Sequence, residues 1–327
     1  MAFSTTSTAV TRSDLAALVQ SVDLMSERNG FIGTKVLRVL DVAAQADQFA
    51  RVMPGDLLNI PDTNRNSDGS YKRGEMKFED DFYSTRDRGF EEKVDERDKK
   101  IYGTWFDAEA LATERAAWVV MASQEKRVAE FMYNTDVYTG ASLTTAIVNE
   151  WDDYAAAEPI DDVNAAAEKV WQATGVWPNA ITLNELQFKA LKRCNQILEA
   201  LQALGAGVQA LQGNVTEAMI AEALNLKYVL VAKGTKNAAN PGQQFSAGQI
   251  WSSEYASVCR IAETDNIKEP CVGRTFHWTG DGSVAEGLVE TYREENKRGD
   301  FVRVRHEVQE KGIIIQAAHL LSNVMTL

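Results

Sequence analysis

The sequence predicts an α+β fold arranged around one long helix. Three observations predict it. From Asp107 to Thr139 no Gly or Pro interrupts the chain, so nothing stops a helix there for about seven turns. Near the end, Phe301–Val308 alternates apolar and polar residues with the period of a half-buried strand. Helix-like periodicity dominates the first two thirds of the chain and strand-like runs the last third, the pattern of segregated helices and antiparallel strands.

The long helix is read over Thr104–Asn134. Asp107 is its N-cap, because a carboxylate there accepts from the free N–H groups of the first turn. Glu109 complements the positive end of the helix dipole. Some 26 helical residues would span roughly 39 Å. Leu111, Trp118, Met121, Ala122, Val128, Ala129 and Met132 form one apolar stripe. Glu114, Arg115, Gln124, Glu125, Lys126 and Arg127 are expected off it.

Before this helix, residues 13–28 form a short amphipathic helix capped by Ser13, with Asn29-Gly30 to end it. Residues 31–60 are ambiguous between helix and extended chain. Residues 53–100 carry 10 basic and 13 acidic side chains among 48 positions. That is too few apolar residues for a core of their own. Alternation at Met76, Phe78, Asp80 and Phe82 reads as a two-stranded excursion projecting from the body; a mobile lid is the rival reading.

After the long helix, Asp161-Asp162 caps a helix over Val163–Thr174 that ends at Gly175. Ala180–Leu183 is a short strand, and Asn184 or Thr182 caps a single helix from about Glu185 to Leu204. Its inward side chains are Leu186, Ala190, Leu191, Ile197, Leu198 and Leu201. Thr216 caps a further short helix. Lys227–Ala232 reads as a central strand, 233–249 as a loop and Ile250–Ile261 as a returning strand. Cys271–Trp278 and Val284–Glu290 flank Asp281-Gly282, a tight-hairpin signal. Val302, Val304 and Val308 share one face, and a buried strand follows Gly312.

Composition narrows the function classes. At 327 residues, 45% apolar and 25% charged, the chain is long enough for a sizeable core. It has no 18-residue apolar run, and its first residues lack the apolar core of a signal peptide. Cys194, Cys259 and Cys271 are odd in number and unclustered, which points to reduced thiols in a core. The net charge of −13 repels phosphate backbones and argues against a nucleic-acid reader; it does not forbid enclosing nucleic acid.

Chemical constellations are sparse. His277, His306 and His319 form no ligand pattern, and no P-loop, GxGxxG or GxSxG is present. Asp62–Gly69 resembles a calcium loop superficially, but Arg73 stands where a bidentate Glu is needed, so it reads as a polar turn. Glu79-Asp80-Asp81 and Asp152-Asp153 read as solvated or ion-paired carboxylates. No catalytic residue, metal or cofactor is expected.

Several runs resemble the major capsid proteins of tailed bacteriophages, the Hong Kong ninety-seven-type capsid fold shared with encapsulins. They are Phe106–Arg115 with Glu125-Lys126-Arg127-Val128-Ala129, Pro178–Asn184, Val215–Gly234 with Asn237–Asn240, Ile250-Trp251, Val302–Arg305, Lys311–Ile315 and Leu320–Val324. The resemblance runs over nearly the whole chain. It implies an N-terminal arm (1–52), an extended loop (53–100), a peripheral domain with the spine helix (101–177), an axial domain (178–270) and closing peripheral strands (271–327).

It also implies a non-enzymatic subunit forming pentamers and hexamers that close into an icosahedral shell around double-stranded DNA. Further partners would be scaffolding, portal and decoration proteins, with no membrane. The location would be the virion, after assembly in the bacterial host cytoplasm. The arm, the extended loop and the axial loops near 205–215 and 233–249 would contact neighbours. In the extended loop, Tyr71, Lys72, Arg73, Lys77, Phe78, Phe82, Arg86, Arg88 and Phe90 are the expected intersubunit contacts. Lys72 and Lys77 match no crosslinking motif, and no cleaved scaffolding segment is expected ahead of the arm. An encapsulin-like nanocompartment shell and an α+β enzyme with a charged lid at 53–100 are the alternatives.

Overall fold

The structure, a computed structural model, describes residues 10–11, 30–51, 55, 58–60, 62–65, 69, 71, 78–102, 107–205 and 214–326. The helix expected at 13–28, residues 72, 73 and 77, and most of the 205–215 loop lie outside the described residues.

The spine helix spans Ala108–Met132. Asp107 caps it, accepting from the N–H of Glu109 at 2.9 Å and of Ala110 at 3.4 Å. Val128, Ala129 and Met132 are buried as the stripe predicts, but Leu111 is 53% exposed while Gln124 and Glu125 are buried. The stripe assumed one covered side, whereas this helix meets a sheet on one side and the segment after Gly30 on another.

Strands enter in chain order: β1 (Val10–Thr11), β2 (Val39–Val42), β3 (Ala46–Arg51), β4 (Glu79–Ser84) and β5 (Arg86–Asp95) precede the spine helix. β6 (Thr144–Ala146), β7 (Ala180–Asn184), β8 (Tyr228–Ala232), β9 (Thr235–Asn237), β10 (Ala247–Gln249) and β11 (Ala256–Cys259) follow it. β12 (Gly273–Trp278), β13 (Leu288–Glu294), β14 (Gly299–Gly312) and β15 (Ala318–Ser322) close the chain.

A six-stranded sheet runs β1-β13-β14-β12-β2, with β5 also paired to β14. Val302, Val304 and Val289 pack with Ala112, Ala116, Ala117 and Val120 of the spine helix in one core cluster. A five-stranded sheet runs β6-β15-β11-β7-β8, covered by helices Pro159–Thr174, Asn195–Ala203 and Glu217–Ala223. β8 is therefore an edge strand, not a central one.

Several elements differ from expectation. The helix before Gly175 begins at Pro159, with Asp161 and Asp162 in its first turn rather than at its cap. Asn184 forms a capping box with Gln187, but the following helix is broken into Glu185–Leu191 and Asn195–Ala203. At the break the N–H of Asn195 turns to the Tyr154 carbonyl at 3.0 Å and Cys194 Sγ reaches the Trp151 carbonyl at 3.2 Å. The diverted Asn195 N–H interrupts the helix over residues 192–194, and Leu186, expected inward, is 46% exposed. Gly282 takes the expected positive φ of 74°. Yet β12 and β13 do not pair with each other; each pairs with β14. The three cysteines are free and buried. No helix among the described residues is long and apolar enough to cross a membrane.

The charged stretch is divided. β4 pairs with β3 in a two-stranded ribbon, while β5 joins the body sheet along ten residue pairs of β14. The projecting excursion expected from the sequence is thus corrected for residues 86–95. Their alternation places Val94 and Phe90 on the spine helix, and that burial holds the strand down.

Candidate assembly surface

The ribbon has two faces with different chemistry. Pairing Phe49↔Asp81 and Asp47↔Tyr83 puts these side chains on one face, because residues opposite each other in a ladder point the same way. That face lies on the body sheet. The Tyr83 ring stacks on Phe276 at 4.6 Å and Phe49 lies 5.6 Å from it. Arg51 bonds Glu79 at 2.9 Å and the Ile313 carbonyl at 2.7 Å. Lys311 holds the Asp81 carboxylate and the Phe82 carbonyl. Burial alone would raise the Asp81 carboxyl, but Lys311, the Phe82 N–H and Arg51 leave it below its ordinary value. At the ribbon's foot, Glu307 accepts from Gln45 at 2.5 Å and from Thr85 at 2.9 Å.

Asp80 and Phe82 alternate with that face; Asp80 is exposed, whereas the Phe82 ring lies beneath Lys311 Nζ at 4.6 Å. Phe82 is 64% exposed, Phe78 61% and Tyr71 71%. These large apolar side chains lie on or next to the ribbon and remain more than half exposed. Between the ribbon and the body runs an apolar groove of about 530 Å³, lined by Phe49, Leu58, Phe78, Val176, Ile267 and Pro270 among others. At the end of the Pro159–Thr174 helix, Trp171 and Trp177 stack with ring centroids 5.6 Å apart.

Of the expected contact residues, Tyr71, Phe78 and Phe82 are thus exposed on or near the ribbon. Arg86, Arg88 and Phe90 lie on β5, and Phe90 packs against the spine-helix core. Lys72, Arg73 and Lys77 are outside the described residues.

No family model matches the chain. Over 196 residues it is 22% identical to the major capsid protein of Burkholderia phage BcepMu, covering 58% of this chain and 61% of that one. The match spans about three fifths of that relative's length. Among solved structures, a phage-related protein from Bordetella bronchiseptica RB50 is similar over 97% of this chain and 98% of its own, with TM-score 0.67 and 19% identity. The capsid of cyanophage P-SCSP1u is similar over 88% of this chain and 86% of its own, with TM-score 0.56 and 11% identity. The chain has a phage-capsid fold.

Within this capsid fold one keystone escaped the sequence reading. Glu125, expected off the apolar stripe, is 3% exposed. It accepts from the N–H of Ile32 at 2.9 Å, of Gly33 at 2.6 Å and from Trp251 Nε1 at 2.6 Å. Burial pushes its carboxyl up, against the pull of those three donors. The Glu sits in helix periodicity; its partners are 92 to 126 positions away, and nothing local announces them.

A second row was also missed. Asp41 lies 2.8 Å from His277 Nδ1, and His277 Nε2 lies 3.2 Å from Ser283 Oγ. The order carboxylate–imidazole–hydroxyl is that of an activated nucleophile. Here, however, the Ser283 hydroxyl bonds Asp281 at 2.7 Å, and Asp281 is clamped by Arg305 at 2.6 Å. With its proton given to Asp281 and 5% exposure, Ser283 braces the turn. Asp62 accepts from the N–H of Asn64 at 3.0 Å, a polar turn. Among the described residues no three His, Cys, Asp or Glu side chains cluster as a metal site.

Proposed function

We propose that the chain is a major capsid protein, a structural subunit that assembles as pentamers and hexamers into an icosahedral shell around double-stranded DNA. The observation that supports this is the capsid fold itself, similar to a solved phage-related protein over 97% of the chain, together with a tied ribbon that leaves Phe78 and Phe82 more than half exposed. The part of Phe78 and Phe82 left exposed gains from burial against a neighbour, on a scale of about 2 kcal/mol per fully buried large side chain. Many modest contacts of this kind become collectively strong on closure of a shell. The virion is then the location, with assembly in the host cytoplasm and scaffolding, portal and decoration proteins as partners. A wall of net charge −13 encloses DNA without reading it. The ribbon folds over its own body, as a lid would, but on an aromatic stack of Phe49, Tyr83 and Phe276 with the Asp81–Lys311 pair instead of a cleft of convergent carboxylates or histidines.

The purified protein tests this by size-exclusion chromatography with negative-stain microscopy. Hollow particles of uniform diameter, or free pentamers and hexamers, are expected. A single species of 36.2 kDa at every concentration, with crowding agent and co-expressed neighbouring genes alike, would contradict it. Particles loaded with a protein cargo instead of DNA would assign the shell to a nanocompartment.

A further inference from the structure

Between the spine helix and the body sheet, apolar packing gives way to one polar layer. Val302, Val304 and Phe90 pack on Ala116, Ala117 and Val120. Two strand positions away, His306 stands opposite Arg88 on β5. By the two-residue period of a strand, both share the side of Val304 and Phe90. Farther along β14, Glu310 is gripped by Arg127 of the spine helix through contacts of 2.7 and 3.1 Å. Gln124 lies one helical turn after Val120 and one before Arg127, so it meets the sheet at the level of His306.

Three buried polar atoms of this layer have no partner among the described residues: Arg88 Nε, Gln124 Nε2 and His306 Nε2. Gln124 is 5% exposed and His306 0%. The first two atoms are N–H donors. The third is the ring nitrogen left without a proton, because Nδ1 faces the Ala285 carbonyl at 3.0 Å. A buried polar group without a partner is costly, and three at one level call for a group from outside the chain.

The charge of the layer decides what that group is. Arg88 feels the charges of Arg127, Glu310 and the exposed Arg86, and Arg127 already takes up the Glu310 carboxylate. His306 faces Arg88 from β5, Arg127 from the spine helix, Glu310 on its own strand and His277 from β12. With His306 neutral the layer keeps an excess of positive charge in a partly buried place, which is unfavourable until a counter-charge joins it. Water would meet the three atoms but leave that charge. An anion meets both needs, and it draws a proton onto His306 Nε2, which makes the third atom a donor as well. We propose that Arg88, Gln124 and His306 form a site for a small inorganic anion, chloride or phosphate, which enters together with a proton on His306 Nε2. The site lies within one subunit and stands whether or not shells form.

Anion exchange tests the site. The full-length protein is held in gluconate at constant ionic strength and titrated with chloride, and in a second series with inorganic phosphate, by isothermal calorimetry. The wild type is expected to bind one anion per subunit. In the chloride series binding is expected to tighten as the pH falls from about 7 to about 5, by up to about tenfold per unit. R88M and Q124M are each expected to weaken binding at least about tenfold, and H306N to remove its pH dependence. In gluconate R88M is expected to melt no lower than the wild type, since it removes a cation without a counter-charge; a merely structural Arg88 would not give that result. Binding of one anion and not the other upholds the site and identifies its ligand as a halide or an oxyanion. No saturable binding by the wild type, or equal binding by the wild type, R88M and Q124M, would overturn the site and leave the shell reading standing. An unchanged pH dependence in H306N would overturn the place of the proton on His306.

Discussion

Glu125 joins three segments remote in sequence: the spine helix, the turn at Ile32-Gly33 and the loop bearing Trp251. Removing its carboxylate leaves three N–H donors in the interior without an acceptor, which costs more than the bonds' net worth. Glu125→Ala is expected to destabilise the subunit by about 3 kcal/mol, read as a shift of the urea midpoint at constant slope. His306 and His319 are buried at 0% and 1% exposure. In each, Nδ1 faces a backbone carbonyl at 3.0 Å, of Ala285 and Ser142 respectively, so Nδ1 carries the proton. Burial holds both imidazoles down, to about 4 from the ordinary 6.5.

Between those pH values the unfolded chain binds protons that the folded one refuses. Stability is therefore full above pH 6.5 and falls as the pH drops towards 4, by roughly 3 kcal/mol for each histidine at most. Urea unfolding of His306→Asn should show a pH slope in this window reduced by about 1.4 kcal/mol per unit. An unchanged slope would mean that His306 titrates normally.

At the scale of elements, the ribbon is the part most separable from the rest. Arg51 and Glu79 face each other at its last described pair, so a two-residue turn can join them. Replacing 52–78 by Asn-Gly keeps β3, β4 and the Phe276 stack. This variant is expected to melt within about 3 °C of the parent and to form no closed shells, by differential scanning calorimetry and microscopy. Deleting 65–90 instead would remove β4 and half of β5, and with them part of the body sheet. It is expected to unfold the subunit, seen as loss of the cooperative melting transition.

The same contrast shows what was legible beforehand. Asp107, Asn184 and Thr216 cap their helices as read, because a cap is decided within four residues. The alternation of β14 identified its buried valines for the same local reason. Strand partners were not legible: β12 and β13 read as a hairpin, but each gains more by pairing with the long β14. Nor did the sequence separate β5 from the ribbon, since both are charged and alternating; only pairing with β14 and contact with the spine helix distinguish them. Of the expected contact residues, the strand at Phe82 followed from alternation, whereas the sheet face of Arg86 and Arg88 depends on register.

At the scale of the whole molecule, the fold lays the β3–β4 ribbon on the body sheet, tied by Phe276 and Lys311. A subunit with 47 acidic and 34 basic residues repels its copies at long range, so association must rely on short, specific contacts. That favours assembly through a few aligned surfaces over indiscriminate aggregation. The most direct test of the central claim is a single-particle cryo-electron reconstruction of the assembled protein. The account predicts a closed shell of fivefold and sixfold clusters in which each ribbon, residues 46–84, lies across the adjacent subunit. A reconstruction with every ribbon folded onto its own subunit and touching no neighbour would contradict it.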